Sequence, residues 1–474
     1  VTICEEVGAW AAGLRAEDVP AAVLERGRLQ TIGIEAARTA GAEAAAPFAA
    51  AAPGGPAGEV YASAVASIAH DWDDYLFMGH TGHSAVPAAA AFAADSERAL
   101  LGQLAANEIA GRLGAALFLG PHNGQFWASI HCASAAIAAS VGLGLDASST
   151  AQALAIALYQ PPYGMWPGFM GPQTKLLTAA EPAAVGVRAA LLAAEGVRGA
   201  LDVIEHPRGV LANLSFAPRP AMFGALGRVW LTETIAFKRL PGCAYVQSVG
   251  EAACAAEVDP AEVSSVEIEA GWLTCEMEEL GRGPDLTPVR VNFSATLSTA
   301  IALLAGQLTP AELRPKWLEE NAAAIRGLAA RIRVRHDPAL TARTLMGTLE
   351  AGASLDDVSL RDFLGIRRRL GDINMDEANL APALLRAAAS DRRLRGALAG
   401  SLRGRLRARR DGGGVDDIDP GALRMTFPSR MRIQLRDGAT RLLEGAEPGS
   451  CGRPLEEQRA VVEEKLSVAG ALVQ

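Results

Sequence analysis

The chain has 474 residues, enough for more than one domain and for at least one large core. A net charge of −9 argues against a nucleic-acid partner. Six scattered cysteines without a CxxC pair argue against a zinc ribbon, an iron–sulfur cluster or a disulfide framework, and they fit a reducing cytoplasm.

Ala, Leu and Gly dominate and aromatics are few, a composition that favours close-packed helices over sheets. The N-terminus, VTICEEVGAWAAGL, has no basic leader, so no signal peptide is expected. Apolar residues at helical spacing then predict helices over Val19–Ala40, Ala85–Ala94, Arg98–Leu117, Ala128–Leu143, Ser149–Tyr159 and Pro182–Ala194. The apolar stretches Trp127–Leu145 and Ala151–Tyr159 read as buried helices of a large core, not membrane spans. Near residue 262 the pattern changes. Val263–Ala270, Ala330–Val334 and Met431–Leu435 alternate like strands, with helices over Ser294–Leu303, Pro310–Leu328 and Leu355–Arg369. An Arg/Gly-rich stretch around 370–420 reads as a flexible insert. Within it, the arginine run 394–410 lacks accompanying aromatics and reads as a solvated face. Arg453–Ala469 returns to an amphipathic helix, which suits a tail packing back on the first domain.

Four segments concentrate polar groups in apolar surroundings. The first, Asp71–Pro87, reads DWDDYLFMGHTGHSAVP and holds Asp71, Asp73, Asp74, Tyr75, His80 and His83. Histidine beside carboxylate is the pattern of proton transfer or metal binding, although a polar helix end has the same composition. The second places His131 just inside a very apolar helix, where a lone histidine is usually a satisfied core group. The third holds Lys175 among Gly, Pro and Leu; an isolated lysine also suits a snorkelling surface position. The fourth, Phe237–Gln247, contains Lys238 and Cys243 and otherwise reads as a basic loop before a helix.

Taken together and in order, these segments resemble the MmgE/PrpD family, which includes 2-methylcitrate dehydratase, cis-aconitate decarboxylase and iminodisuccinate epimerase. The family's D-F-D-D is similar to Asp71-Trp72-Asp73-Asp74, and its following H-(P/S)-x-x-x-x-P to His83-Ser84-Ala85-Val86-Pro87. Its G-(F/W)-H-x-(T/S) resembles the stretch around His131, and its G-(T/S)-x-x-K-x-(L/F) resembles Gly171–Leu177 with Lys175. Its K-x-Y-P-x-C resembles Lys238–Cys243, and its G-x-P-x-x-P loop and closing helix resemble Gly445–Pro448 and the helix after it.

The resemblance implies a mainly α fold. A large all-helical domain would span 1–235, completed by 450–474, with a smaller α+β lid over 236–449. It also implies a cytoplasmic homodimer, a small di- or tricarboxylate substrate, and chemistry without a metal or organic cofactor. No nucleic acid and no membrane are expected as partners. Three departures stand out. Gln247 occupies the place of a family histidine, Leu297 that of a tyrosine, and Leu158–Gly164 replaces a small-residue segment with a Pro/Tyr-rich one.

Elimination or epimerisation next to a carboxylate needs a base for the α-proton, positive charge for the enediolate, and an acid. His131 and His83 suit base and acid. Lys175 and Lys238 suit carboxylate binding, and Asp71 suits orienting a histidine or polarising a hydroxyl. Tyr75 is a candidate late proton donor, with His80 and Gln247 as substrate contacts. Dehydration leads, with epimerisation and decarboxylation as alternatives. From another class, His70-Asp71 with His80-x-x-His83 and Asp73 or Asp74 superficially resembles a metal-dependent HD-type hydrolase. A catalytically inactive family member is the third possibility, raised by Gln247 and Leu297.

Overall fold

A computed structural model of the chain describes residues 1–117, 125–162, 164–352, 377–397, 399 and 415–473. It is mainly α, with a minor α+β part. The helical body is built from α1 (Ile3–Gly13), α2 (Ala21–Ala45), α3 (Pro56–Ile68), α4 (Gly82–Ala90), α5 (Ser96–Leu117), α6 (Gln125–Leu143), α7 (Ala147–Tyr159) and α8 (Leu177–Ala194). Local sequence explains several starts. Thr2 and Glu5 form a capping box on α1, and Asp146 accepts the Ser149 N–H at the head of α7.

Helix α6 runs through the middle, packed on α4, α5, α7 and α8. Small residues allow this density. A Cβ on Gly186 of α8 would lie 2.4 Å from the Cys132 carbonyl oxygen, so only glycine lets these two axes approach. Gln173–Ala194 is long and apolar enough to cross a membrane by length and composition, and most of it is packed inside this body.

After the short helix α9 (Val210–Leu214) the chain forms the α+β part. In order come β2 (Ala236–Phe237), α10 (Gln247–Cys254), β3 (Val263–Ala270), α11 (Trp272–Leu280), α12 (Pro288–Val291), α13 (Ala295–Ala305), α14 (Pro315–Ala329), β4 (Ile332–His336) and α15 (Pro338–Leu349), then α16 (Glu377–Ser390), β5 (Ser429–Leu435) and β6 (Thr440–Glu444). The sheet order is β4-β3-β5-β6, with β3 parallel to β4 and antiparallel to β5. Alternating Val266, Ile268 and Ala270 of β3, with Val263 beyond a register shift, share a core with α10, α13 and α14. The last helix, α17 (Leu455–Val473), packs against α2.

The expected strands are present, with β4 running on to His336, and β6 is an addition. The helix expected from Pro182 begins at Leu177 instead. The expected helix Leu355–Arg369 lies outside the described residues, as does most of the run 394–410. Within the expected flexible insert, α16 is a helix packed on α15 through Ala342, Ala387 and Leu394. In the Pro/Tyr-rich segment Leu158–Gly164, Tyr159 is exposed and Tyr163 lies outside the described residues.

Candidate active site

The site begins where α3 ends. Asp71 takes φ +51°, a left-handed conformation that aspartate tolerates better than most non-glycine residues. The turn swings the chain into a two-residue strand, β1 (Asp74–Tyr75), paired with β2 in the register Asp74–Phe237 and Tyr75–Ala236. The approach to β2 is fixed from below by a buried carboxylate. Glu108 accepts the Leu231 N–H at 3.0 Å and the Thr232 N–H at 2.7 Å, and it ion-pairs with Arg112. The ladder puts Lys238 beside Asp73, whose carbonyl accepts the Lys238 N–H at 3.2 Å.

Side chains then link in sequence. Lys175, delivered by a 3₁₀ turn over Gln173–Leu176, lies 3.0 Å from Asp71 Oδ2. Lys238 Nζ lies 3.0 Å from Asp71 Oδ1 and 2.5 Å from Asp73 Oδ1. Asp73 Oδ2 meets His80 Nδ1 at 2.7 Å and His83 Nε2 at 3.0 Å. His83 Nδ1 reaches Ser67 Oγ at 2.8 Å, and its ring centroid is 6.1 Å from that of His131. His131 Nδ1 reaches Ser84 Oγ at 2.9 Å. Asp71, His80, His83, His131, Lys175 and Lys238 therefore form one connected cluster drawn from the helical body and the approach to the α+β part.

Burial sets the electrostatics. It would push the Asp71 carboxyl up, but Lys175 and Lys238 outweigh it and hold the group at about 2. Burial is likewise overcome at Asp73, which Lys238, His83 and His80 hold well below the ordinary range. Lys238 is raised because Asp71 and Asp73 outweigh its own desolvation. His131 has no such partner. Burial, reinforced by the His83 and His80 charges, depresses it well below 6.5, so it is a neutral imidazole at physiological pH.

The hydroxyl of Ser84 assigns the tautomer. Its proton goes to the Thr81 carbonyl at 3.2 Å, so Ser84 Oγ accepts from His131 Nδ1–H and leaves Nε2 with its lone pair. His83 differs. Ser67 Oγ donates to the Ala64 carbonyl at 3.3 Å, and the His83 ring meets an oxygen at each nitrogen, Ser67 on one side and Asp73 on the other.

Two expected residues sit otherwise. Gln247 is buried, and its amide is spent on the main chain. Its Oε1 accepts the Leu240 N–H at 3.0 Å, and its Nε2 donates to the Leu240 and Gly242 carbonyls at 2.8 and 3.2 Å. It braces the loop after Lys238. Tyr75 lies in the helical core 6.2 Å from the His80 ring, and burial raises its phenol well above 10, which makes it a poor proton donor. Leu297 packs on the core of the α+β part.

Sequence reasoning gave the hub, Asp73, a place only in the metal-site alternative, and it missed the orienting serines Ser67 and Ser84. Asp73 was visible in the DWDD run. The serines carry no signal beyond polarity inside helices.

Asp71, Asp73 and His80 bring ligand-type atoms within 4.8 Å of one another. Lys238 Nζ already bridges the two carboxylates, so a divalent ion would have to displace a buried ammonium. His70, needed for an HD-type centre, stands outside this trio, with burial pushing it down to about 4. The cluster is a chain of ion pairs in form, not a metal cage.

A cavity of about 560 Å³ runs beside the cluster. Ala69, Gln173 and Leu176 line one wall, while Thr287, Pro288 and Leu318 line the other. The cluster's own side chains do not line it. Of those side chains His80 is the most exposed, at 22%, with its ring edge-on to Trp127.

Comparison with protein families matches residues 5–222 to the MmgE/PrpD N-terminal domain. The chain carries an MmgE/PrpD N-terminal domain. No curated protein matches it. The matched MmgE/PrpD region contains Asp71, Asp73, His80, His83, His131 and Lys175, whereas Lys238 and Gln247 lie beyond it. Members of this family are generally enzymes.

Proposed function

We propose that this MmgE/PrpD chain is a lyase for a small di- or tricarboxylic acid, a dehydratase that removes a proton α to a carboxylate. The observation that carries the reading is His131: a buried neutral imidazole, oriented by Ser84, in a cluster that also contains two ammonium groups. Lys175 supports it further. Its ammonium pairs with Asp71 on one side, makes no hydrogen bond, and stacks 4.9 Å over the Phe293 ring. That leaves its N–H groups for a substrate carboxylate.

In this mechanism His131 Nε2 takes the α-proton, and the electron pair moves onto the carboxylate as an enediolate beside Lys175. The enediolate collapses to a carbon–carbon double bond as the β-hydroxyl leaves. Protonated His83 gives that hydroxyl its proton, and water departs. Asp73 and Ser67 hold the His83 ring, while Asp71 and Asp73 fix Lys238. The chemistry needs no added cofactor. We place the enzyme in the cytoplasm as a homodimer through its apolar helical body.

Epimerisation is the second reading, favoured by one observation: two histidine rings 6.1 Å apart suit removal of a proton on one face and its return on the other. A panel of hydroxy- and amino-di- and tricarboxylates in deuterium oxide tests both. Dehydration gives an unsaturated product. Epimerisation returns substrate deuterated at the inverted carbon without unsaturation, and loss of carbon dioxide would signal decarboxylation. Absence of any turnover or α-exchange across the panel would overturn the reading.

A further inference from the structure

We infer that Lys465 of α17 is a positioning residue of this site, its buried ammonium holding the Trp72–Asp73 main chain and so setting where the Asp71 and Asp73 carboxylates point. The inference rests on the proposed role of those carboxylates, but its geometry stands separately. Lys465 is fully buried. Its Nζ donates to the Trp72 carbonyl at 2.7 Å and, more weakly, to the Asp73 carbonyl at 3.4 Å. The same Nζ lies 5.0 Å over the Trp72 ring.

A buried ammonium is costly unless it is hydrogen-bonded and its charge is compensated. Here the acceptors are main-chain carbonyls, and Asp73 and Asp74 are the carboxylates that raise its affinity for a proton against the larger effect of burial. A lysine that only docked a helix would be replaceable by an apolar residue, since α17 already packs Val461 and Val462 against Leu29, Ile235 and Phe237. The charge instead falls behind the strand that carries the carboxylates.

The neighbouring residue strengthens the case. Glu464 receives Arg239 in a two-pronged ion pair, at 2.8 and 3.1 Å. Trp72 Nε1 donates to the Arg239 carbonyl at 2.8 Å. Adjacent residues of α17 thus grip the segments that flank the β1–β2 ladder, Lys465 at Trp72 and Asp73 before β1 and Glu464 at Arg239 after β2. A Cβ on Gly33 of α2 would stand 3.8 Å from Lys465 Nζ.

The test uses the full chain with Lys465→Met, Lys465→Arg and, as a control on the same helix, Glu464→Gln. Amide hydrogen exchange reads the main chain directly, and ring NMR of histidine-labelled protein reads the field at His80. In Lys465→Met, exchange over residues 71–75 and 236–239 should rise about tenfold while α5 and α6 keep wild-type protection. The His80 titration midpoint should move upward, because a positive charge behind Asp73 has been removed. Lys465→Arg keeps the charge and should restore the midpoint but not the protection; it also serves if the Met variant does not fold. Glu464→Gln should leave the His80 midpoint unchanged. Faster exchange confined to α17, or wild-type exchange over 71–75 in both Lys465 variants, would overturn the inference. Neither readout needs a substrate, so the positioning role can stand even if the proposed reaction falls.

Discussion

Ser84 Oγ stands 2.9 Å from His131 Nδ1, and the serine's own proton is already given to the Thr81 carbonyl. The hydroxyl therefore fixes which imidazole nitrogen is free. His131→Ala should lower turnover by roughly a hundredfold or more, the scale of general-base loss, with a smaller effect on KM. Ser84→Ala should lose about tenfold in turnover, because the ring remains but its tautomer and orientation are no longer imposed. Steady-state kinetics on whichever acid the panel identifies checks both. Equal rates for His131→Ala and wild type would remove His131 from the mechanism.

Lys238 is the only described group whose ammonium touches both Asp71 and Asp73. Lys238→Met keeps the bulk and takes one cation from each of two buried carboxylates. Breaking a buried pair by removing one partner costs about 3–5 kcal/mol, and here two anions lose a partner together. Urea unfolding should show a loss of at least that order at pH 7, shrinking toward pH 3 as the carboxylates take up protons.

Glu447 gives a pH signature away from the cluster. Burial pushes its carboxyl up to about 7, against the Phe427 N–H that favours the charged form. The folded state thus holds a proton that the unfolded chain releases near 4.5. This stabilisation is complete below pH 4.5 and is lost as pH rises through 7. Glu447→Gln removes the dependence. Relative to wild type it should gain stability between pH 5 and pH 8, by roughly 3 kcal/mol at most from a shift of this size. Parallel thermal melts across that range would show the two curves separating; parallel curves would contradict the assignment.

Gln247→His restores the residue that the resemblance leads one to expect. Gln247 meets three main-chain groups of the Leu240–Gly242 loop, and a neutral imidazole has one donor and one acceptor. The substitution should cost about 1–3 kcal/mol through an unmet buried carbonyl and add no proton carrier to the cluster. New activity on a methylcitrate-like acid, with stability unchanged, would show that the imidazole turns inward.

What the sequence made visible was contrast. His131 and Lys175 stood out because they interrupt apolar runs, and DWDD because three carboxylates crowd four positions. The helices were legible to within a few residues for the same reason, since Ala-rich periodic segments end at Gly, Pro or Asp. The two-residue ladder β1–β2 was invisible because alternation needs more residues than it has. Lys465 was invisible because its surroundings, EEKL in an amphipathic helix, read as a solvated face, and its acceptor lies 393 positions earlier. Gln247 looked like a missing acid–base group because residue type was weighed without the loop that uses it.

The span of these contacts along the chain governs how the protein can be made. Asp71, Asp73 and Asp74 leave the ribosome early, Lys238 much later, and Lys465 near the last of the residues described. Until Lys238 is available, Asp71 and Asp73 lack the one cation that bridges them, so part of the charge that offsets their desolvation is missing while they are packed. Ser84 and His131 can find each other during synthesis, but the acid half of the cluster consolidates only after the distal segments have been released. The boundary of the family match at residue 222 therefore does not mark a self-contained cluster: a fragment ending there would retain His80, His83, His131 and Lys175 but lack the ammonium that bridges Asp71 and Asp73.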